Sequence, residues 1–171
     1  VAADLLERMA GYYRPQRTYL SYQEMLADPK LDAVVIATSD GFHVPASLQA
    51  LAAGKHVLCE KPLGVSVEEV EELAAAVKRQ GKILQVGHMK RFDPGLEAAR
   101  DFVRDEMGEI LALKAWYCDS THRYTMTDAV QPLIVTSAET RSPGRNEEAG
   151  VRECVMLAHG SHGVDLARFL V

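Results

Sequence analysis

Short apolar runs alternate with helix signals along the first hundred residues, and this alternation constrains the fold most. Three runs read as strands, at residues 32–38, 56–59 and 82–87. Helical segments precede and separate them, two of which begin with S-x-x-E capping boxes at residues 21–24 and 66–69. The alternation predicts an α/β fold with a doubly wound parallel sheet. Because the first run lacks polar alternation, we expect its strand to be covered on both faces.

The pattern changes at Gly108, where the run EILALKAWYCDS begins to alternate. Leu111, Leu113 and Ala115 would share one face of a strand, which is typical of a sheet packed on one side. We therefore place a domain boundary between residues 107 and 108. Residues 1–4 read like the end of a strand, and the last residues stop within a helical pattern. We expect a fragment that lacks its first strand–helix unit.

Composition and charge argue against several classes of function. The 171 residues carry a net charge of −5, so no basic footprint points to a nucleic-acid partner. No apolar run approaches the roughly 18–20 residues that cross a bilayer, so we expect no membrane partner. The three cysteines, Cys59, Cys118 and Cys154, are too widely spaced for a disulfide framework or a zinc pattern. We therefore expect a reducing, cytoplasmic setting.

Polar residues follow the predicted strands, and ligands of open parallel sheets bind beyond the carboxyl ends of strands. Four places qualify: Asp4, Thr38–His43, Glu60–Pro62 and Gly87–Phe92. An acid at Asp4 suits the ribose hydroxyls of a dinucleotide, while a helix cap or a solvated aspartate explains it equally well. Lys61 can present an ammonium to a substrate oxygen because Pro62 restricts its neighbours. The alternative is a weak surface ion pair with Glu60.

Histidines supply the remaining candidates. His43 stands just before a helix, where capping or packing competes with a functional role. His159, His162 and Asp165 are spaced by three, so His162 and Asp165 share a helix face if the helix starts near Ser161. An imidazole is a natural base for a proton that leaves an alcohol. A metal site using both histidines and the acid, and an ordinary histidine at a helix start, are the competing interpretations.

Together these segments resemble the glucose–fructose oxidoreductase/inositol dehydrogenase (Gfo/Idh/MocA) family. The stretch YLSYQEMLADPKLDAVVIATSDGFHVPASLQALAAGKHVLCEKPLGVSVEEVEELAAAVKRQGKILQVGHMKRFDP carries the resemblance, in which Glu60-Lys61-Pro62 is the most specific motif. The similarity covers about residues 1–118 and resumes at residues 162–170. It implies a partial NAD(P)-binding Rossmann domain at 1–107. Residues 108–171 would be part of an α+β domain with a mostly antiparallel sheet, through which the protein would form a homo-oligomer.

The resemblance also implies roles for individual residues. Asp4 would bind the cofactor ribose, which favours NAD over NADP. The other cofactor-binding positions would be Thr38, Ser39, Asp40, His43, Glu60, Lys61 and Arg91. His162 matches the catalytic histidine of the family and Asp165 the acid that follows it, and no metal is expected.

The implied reaction is oxidation of a secondary alcohol of a sugar, cyclitol or related polyol, or its reverse. His162 would take the hydroxyl proton, Lys61 would hold the oxygen, and hydride would move to the nicotinamide. Many dehydrogenases of the family have an aspartate where this chain has Ala158, so a non-catalytic member that binds cofactor or a sugar-like ligand is the alternative. A metal-dependent hydrolase built on His159, His162 and Asp165 leaves Glu60-Lys61-Pro62 unexplained. We expect residues 1–171 alone to have little activity.

Overall fold

A computed structural model describes residues 2–116 and 156–171, and the chain divides into two compact units. The described part of the first unit is residues 2–30, and that of the second is residues 31–116 and 156–171. No helix within these ranges is long and apolar enough to cross a membrane. The elements are α1 (Ala3–Tyr13), α2 (Tyr22–Ala27), β1 (Ala33–Ile36), α3 (His43–Ala52), β2 (His56–Cys59), α4 (Val67–Gln80), β3 (Leu84–Val86), α5 (Pro94–Asp105) and α6 (Ser161–Leu170).

The start of the first unit corrects one expectation. α1 begins at Ala3, so Asp4 lies in a first helical turn and not at the end of a strand. The segment contains several strong helix formers, and an acidic side chain is favourable near the positive end of a helix dipole. Asp4 Oδ1 accepts a hydrogen bond from the Leu5 backbone N–H at 2.7 Å. The apolar run before Asp4 is so short that its pattern does not distinguish a strand from the start of a helix.

Asp28 ends α2 and gathers hydrogen-bond donors within the first unit. Its carboxylate accepts from the Tyr19 hydroxyl at 2.5 Å, from Arg17 Nη1 at 2.6 Å and from the Lys30 backbone N–H at 2.8 Å. The Tyr19 hydrogen bond is the largest cause that lowers the pKa of Asp28 to about 2. Ser21 caps α2, since its Oγ accepts a hydrogen bond from the Glu24 N–H, which is one half of the predicted capping box. The acid therefore fixes the chain at the end of this helix.

The second unit contains the predicted parallel sheet. Its strand order is β1–β2–β3, and all three strands run in the same direction. Val34 pairs with Val57, and Val57 pairs with Leu84. The crossover helices α3 and α4 connect consecutive strands and pack against each other. The parallel sheet with intervening helices is confirmed.

The burial of β1 differs from expectation. Val34 and Ile36 are buried, whereas Val35 on the other face is 70% exposed. Leu58 of β2 is exposed on the same face as Val35. Because right-handed crossovers between successive neighbouring strands place their helices on one side, α3 and α4 cover a single face. The expectation of a strand covered on both faces is therefore wrong for β1 in the described residues.

The capping signals of the second unit are confirmed. Ser66 and Glu69 form the reciprocal capping box of α4, and Gly81 ends this helix with a φ of +62°. Gly54 follows α3 with a φ of +74°, as expected for a residue just beyond a helix. On α4, Leu73 and Ala76 are buried, whereas Val67 is exposed.

Residues 108–116 correct another expectation. They form no strand, and the side chains of Leu111 and Leu113 are exposed. Alternation alone does not make a strand, because a strand needs a hydrogen-bonded neighbour, and the described ranges provide none for this segment. Tyr117 and the segment to residue 155, including Glu153 and Cys154, lie outside the described residues. The boundary between residues 107 and 108 stays a prediction, as does a homo-oligomer.

Candidate functional site

The carboxyl ends of the three strands meet at one edge of the sheet. The Glu60 backbone N–H donates to the Ile36 carbonyl at 2.9 Å, and the Gly87 N–H donates to the Cys59 carbonyl at 2.7 Å. A Cβ on Gly87 would lie 3.3 Å from Cδ of Glu60, so the carboxylate rests against this glycine. The parallel register thus brings Glu60 and Gly87, which are 27 positions apart in the sequence, to the same edge of the sheet.

The loop after β1 presents small polar groups. Thr38, Ser39 and Asp40 are all exposed, and a short 3₁₀ turn begins at Asp40. The Thr38 hydroxyl donates weakly to the neighbouring Ser39 carbonyl at 3.4 Å. Hydroxyl and carboxylate groups in this position suit the hydroxyls of a dinucleotide. These three residues fit the cofactor-binding role predicted for them, which stays a prediction.

His43 differs from Thr38, Ser39 and Asp40 because it is buried, with 1% of its surface exposed. Its Nδ1 lies 2.6 Å from the Pro62 carbonyl oxygen and its Nε2 lies 3.1 Å from the Thr38 carbonyl oxygen. Carbonyl oxygens only accept hydrogen bonds, so each contact is a hydrogen bond only when the ring nitrogen that faces the carbonyl carries a proton. Both polar atoms of the ring therefore face protein, and the geometry favours the packing alternative over direct contact with a cofactor.

Lys61 is the second residue after β2 and lies beside the carboxylate of Glu60. Its backbone N–H donates to Glu60 Oε2 at 3.2 Å, and the Lys61-Pro62 peptide is cis. The Lys61 side chain is partly buried and close enough to His162 for its charge to act on that imidazole. The fold thus brings together the two predicted catalytic residues, 101 positions apart in the chain.

His162 lies in the first turn of α6 and is 6% exposed. Its pKa is lowered, first by burial, which disfavours the charged imidazolium, and then by the positive charge of Lys61. Lys90, His88 and His159 lower the pKa further in the same direction. His162 is therefore kept neutral to a lower pH than a free histidine, and a neutral imidazole is the form that accepts a proton.

Arg91 pairs with Asp165, the acidic residue on α6. Its Nε lies 2.8 Å from Asp165 Oδ2 and its Nη2 lies 2.6 Å from Oδ1, which makes a bidentate pair. The guanidinium carbons of Arg91 and Arg100 also lie over the Phe169 ring, at 5.4 and 4.9 Å from its centroid. Arg91 thus holds α6 against the segment after β3, and its predicted cofactor contact stays a prediction that competes with this role.

The remaining predicted residues are placed differently. Asp165 is one turn from His162, but its carboxylate faces Arg91, with His88 Nδ1 at 3.6 Å from Oδ2. Among residues 2–116 and 156–171, no group of three or more histidine, cysteine or acidic side chains is arranged to hold a metal. Asp4 belongs to the first unit, so its assignment as a ribose ligand stays a prediction whose premise, a strand end, is wrong.

Two residues near His162 were not singled out from the sequence. His88 and Lys90 directly follow β3, within the Gly87–Phe92 segment that the sheet-edge rule selects. Their position after a strand was the available signal, but only the tertiary structure brings them to the imidazole of α6.

The chain is similar to known oxidoreductases. Residues 6–88 match the family model of the GFO_IDH_MocA oxidoreductase family with an NAD-binding Rossmann fold. Mouse trans-1,2-dihydrobenzene-1,2-diol dehydrogenase is 39% identical over 124 residues, which are 71% of this chain and 37% of that enzyme. The chain therefore spans well under half the length of this curated relative.

Solved structures show the same likeness. Myo-inositol 2-dehydrogenase from Lactobacillus plantarum superposes with a TM-score of 0.75 at 25% identity, covering 99% of this chain and 46% of that protein. Scyllo-inositol dehydrogenase from Lactobacillus casei, solved with NAD(H) and scyllo-inositol, gives a TM-score of 0.66 at 25% identity over 88% of this chain and 40% of that protein. The resemblance stated from Glu60-Lys61-Pro62 and its flanking segments is confirmed. The chain belongs to the Gfo/Idh/MocA family of oxidoreductases with an NAD-binding Rossmann fold.

Proposed function

We propose that the full-length protein is a nicotinamide-dependent oxidoreductase that interconverts a secondary alcohol and a ketone of a sugar, cyclitol or related polyol. The observation that carries this proposal is the buried His162 at the carboxyl edge of a parallel sheet, with a pKa that burial and the charge of Lys61 lower. A base with a lowered pKa next to a fixed cation suits removal of a hydroxyl proton. The related enzymes named above act on cyclic polyols or diols by their names.

The residues divide the chemistry between them. His162 Nε2 or Nδ1 accepts the proton of the substrate hydroxyl, and the Lys61 ammonium holds the substrate oxygen and stabilises charge that develops on it. The nicotinamide supplies the hydride chemistry when it is bound. Thr38, Ser39 and Asp40 would hold the cofactor at the sheet edge, because their polar groups are exposed there. The preference for NAD over NADP rests on Asp4 and requires direct comparison of both cofactors.

Activity assays on the full-length protein test this proposal. We would measure the absorbance of the reduced nicotinamide with NAD and NADP, using myo-inositol, scyllo-inositol and trans-1,2-dihydrobenzene-1,2-diol as substrates. Lys61→Met and His162→Asn should each lower kcat by about 10²-fold or more, since general acid–base groups contribute that much. Lys78→Met on the exposed last turn of α4 is the matched control. Turnover that survives both site substitutions would contradict the proposed roles.

The pH dependence gives a second test. Because the pKa of His162 is lowered from 6.5 by burial and by Lys61, the acid limb of kcat/KM should fall below pH 6.5. Lys61→Met removes a positive charge, so the pKa of His162 and the acid limb should move to higher pH. A limb that stays in place, or moves to lower pH, would show that Lys61 does not act on His162.

The non-catalytic alternative predicts a different outcome. Ala158, where many family dehydrogenases have an aspartate, is the sequence feature that favours it. Such a protein would bind nicotinamide cofactor or a polyol in calorimetry without turnover under any of the assay conditions. Binding without turnover would therefore replace the enzyme proposal with this one.

A further inference from the structure

We propose that His43 is a positioning residue that holds the Lys61-Pro62 segment in place, an inference that rests on the catalytic role proposed for Lys61. The imidazole is 1% exposed, and it joins two segments that follow different strands. Nδ1 contacts the Pro62 carbonyl oxygen at 2.6 Å, and Nε2 contacts the Thr38 carbonyl oxygen at 3.1 Å. The shorter contact is to the residue that follows Lys61.

The other end of the same segment is also fixed by the protein. Glu69 Oε1 accepts hydrogen bonds from the Val65 and Ser66 backbone N–H groups, the second at 2.9 Å. Gly64 lies so close to Val70 that a Cβ would be 2.7 Å from its Cγ2. His43 thus anchors the first part of the segment of residues 60–66. The N-terminal cap of α4 anchors the last part of the same segment. Without His43, the chain between Glu60, which is held by β1, and Val65, which is held by Glu69, loses its anchor at Pro62.

Displacement of Lys61 would have an electrostatic consequence at His162. Lys61, Lys90, His88 and His159 lower the pKa of this imidazole, and the Asp165 carboxylate also interacts electrostatically with it. The nearby carboxylate, Asp165, is held by Arg91. If Lys61 moves away, its positive charge lowers the pKa of His162 less, and that pKa rises. A shift of the acid limb therefore reports the position of Lys61 and is not expected from a general loss of stability.

Three substitutions of His43 separate its two contacts in the full-length protein. Asparagine places an amide nitrogen near the Nδ1 position and keeps a donor to Pro62, whereas glutamine reaches the Nε2 position and keeps a donor to Thr38. Leucine keeps neither. We expect His43→Leu and His43→Gln to lower kcat by about 10- to 100-fold, as small displacements of a catalytic group do, with the acid limb moved to higher pH. His43→Asn should stay within about threefold of wild type.

A cofactor ligand would behave differently in the same experiment. If His43 contacts the cofactor, all three variants raise the KM for the nicotinamide and leave the acid limb in place, which would overturn the inference. Leu51→Val is the matched control, because Leu51 is fully buried on the same helix, eight residues after His43. It should lower stability without moving the acid limb. An asparagine variant as impaired as the leucine variant would also overturn the inference.

Hydrogen–deuterium exchange tests the same contact without reference to activity. The backbone amides of residues 60, 61 and 63–66 should exchange about tenfold faster in His43→Leu than in wild type, as the loss of one buried hydrogen bond predicts. His43→Asn should exchange within about twofold of wild type. Unchanged exchange in His43→Leu would overturn the positioning role. Faster exchange combined with no turnover in the wild type would instead overturn the proposed function and leave the positioning contact established.

Discussion

Replacement of Arg91 by methionine should destabilise the second unit by about 2 kcal/mol. The change leaves the Asp165 carboxylate, whose side chain is 10% exposed, without its bidentate partner. Breaking a fully buried pair costs about 3–5 kcal/mol, while exposed pairs contribute about 0–1 kcal/mol. The Arg91 side chain is 40% exposed, so solvent screens part of the pair and an intermediate value follows. Loss of the contact with the Phe169 ring adds to the effect.

A double-mutant cycle measures the pair directly. Urea denaturation of wild type, Arg91→Met, Asp165→Asn and the double variant should give a coupling free energy of about 1–2 kcal/mol. The matched control is the pair of Arg104 with Asp105, which has N···O distances of 2.7 Å but lies on the exposed side of α5. That pair should show no measurable coupling. Equal coupling in both cycles would refute the reasoning, because it would show that burial does not decide the strength of these pairs.

The pH dependence of this pair has a definite sign. The hydrogen bonds from Arg91 lower the pKa of Asp165, so the carboxylate stabilises the fold above its unfolded pKa of about 3.9. That contribution is lost as the pH falls through the lowered folded value. The difference in unfolding free energy between wild type and Arg91→Met should therefore shrink below about pH 4. A difference that is constant down to the acid range would contradict an ionic origin.

Two further predictions concern a tight glycine and a carboxylate of the first unit. Gly64→Ala should destabilise by about 1–3 kcal/mol in urea denaturation, because its Cβ would overlap Val70, whereas Gly41→Ala, with no atom within 4 Å, should be near neutral; equal effects would contradict this. The pKa of Asp28 is lowered to about 2, chiefly by Tyr19, so its stabilisation should be lost as the pH falls from about 4 towards 2. Tyr19→Phe raises the folded pKa, so the loss should be smaller and should be complete at a higher pH. Carbon NMR of the Asp28 carboxyl group measures this, and an unshifted titration would argue against the hydrogen bond.

Local signals were sufficient for much of the fold because they act over a few residues. The Ser66–Glu69 capping box, Gly81 and the apolar strand His56–Cys59 are all found where the sequence placed them. Such signals are satisfied by backbone geometry and hydrogen bonds within one turn. Long-range features were less predictable: Asp4 begins a helix, and residues 108–116 form no strand. Whether a short apolar or alternating run becomes a strand depends on a partner that the run itself does not encode.

The sequence by itself determined a parallel sheet whose carboxyl edge carries Glu60-Lys61-Pro62, because strand order and polarity follow from short crossovers. It also supplied His162 as a candidate base. Only the tertiary structure decided that the charge of Lys61 acts on His162 and that Arg91 is held by Asp165. It also decided that both ring nitrogens of His43 contact backbone carbonyl oxygens. These outcomes join segments up to 101 residues apart, and the burial and charge that set them exist only once the chain has folded.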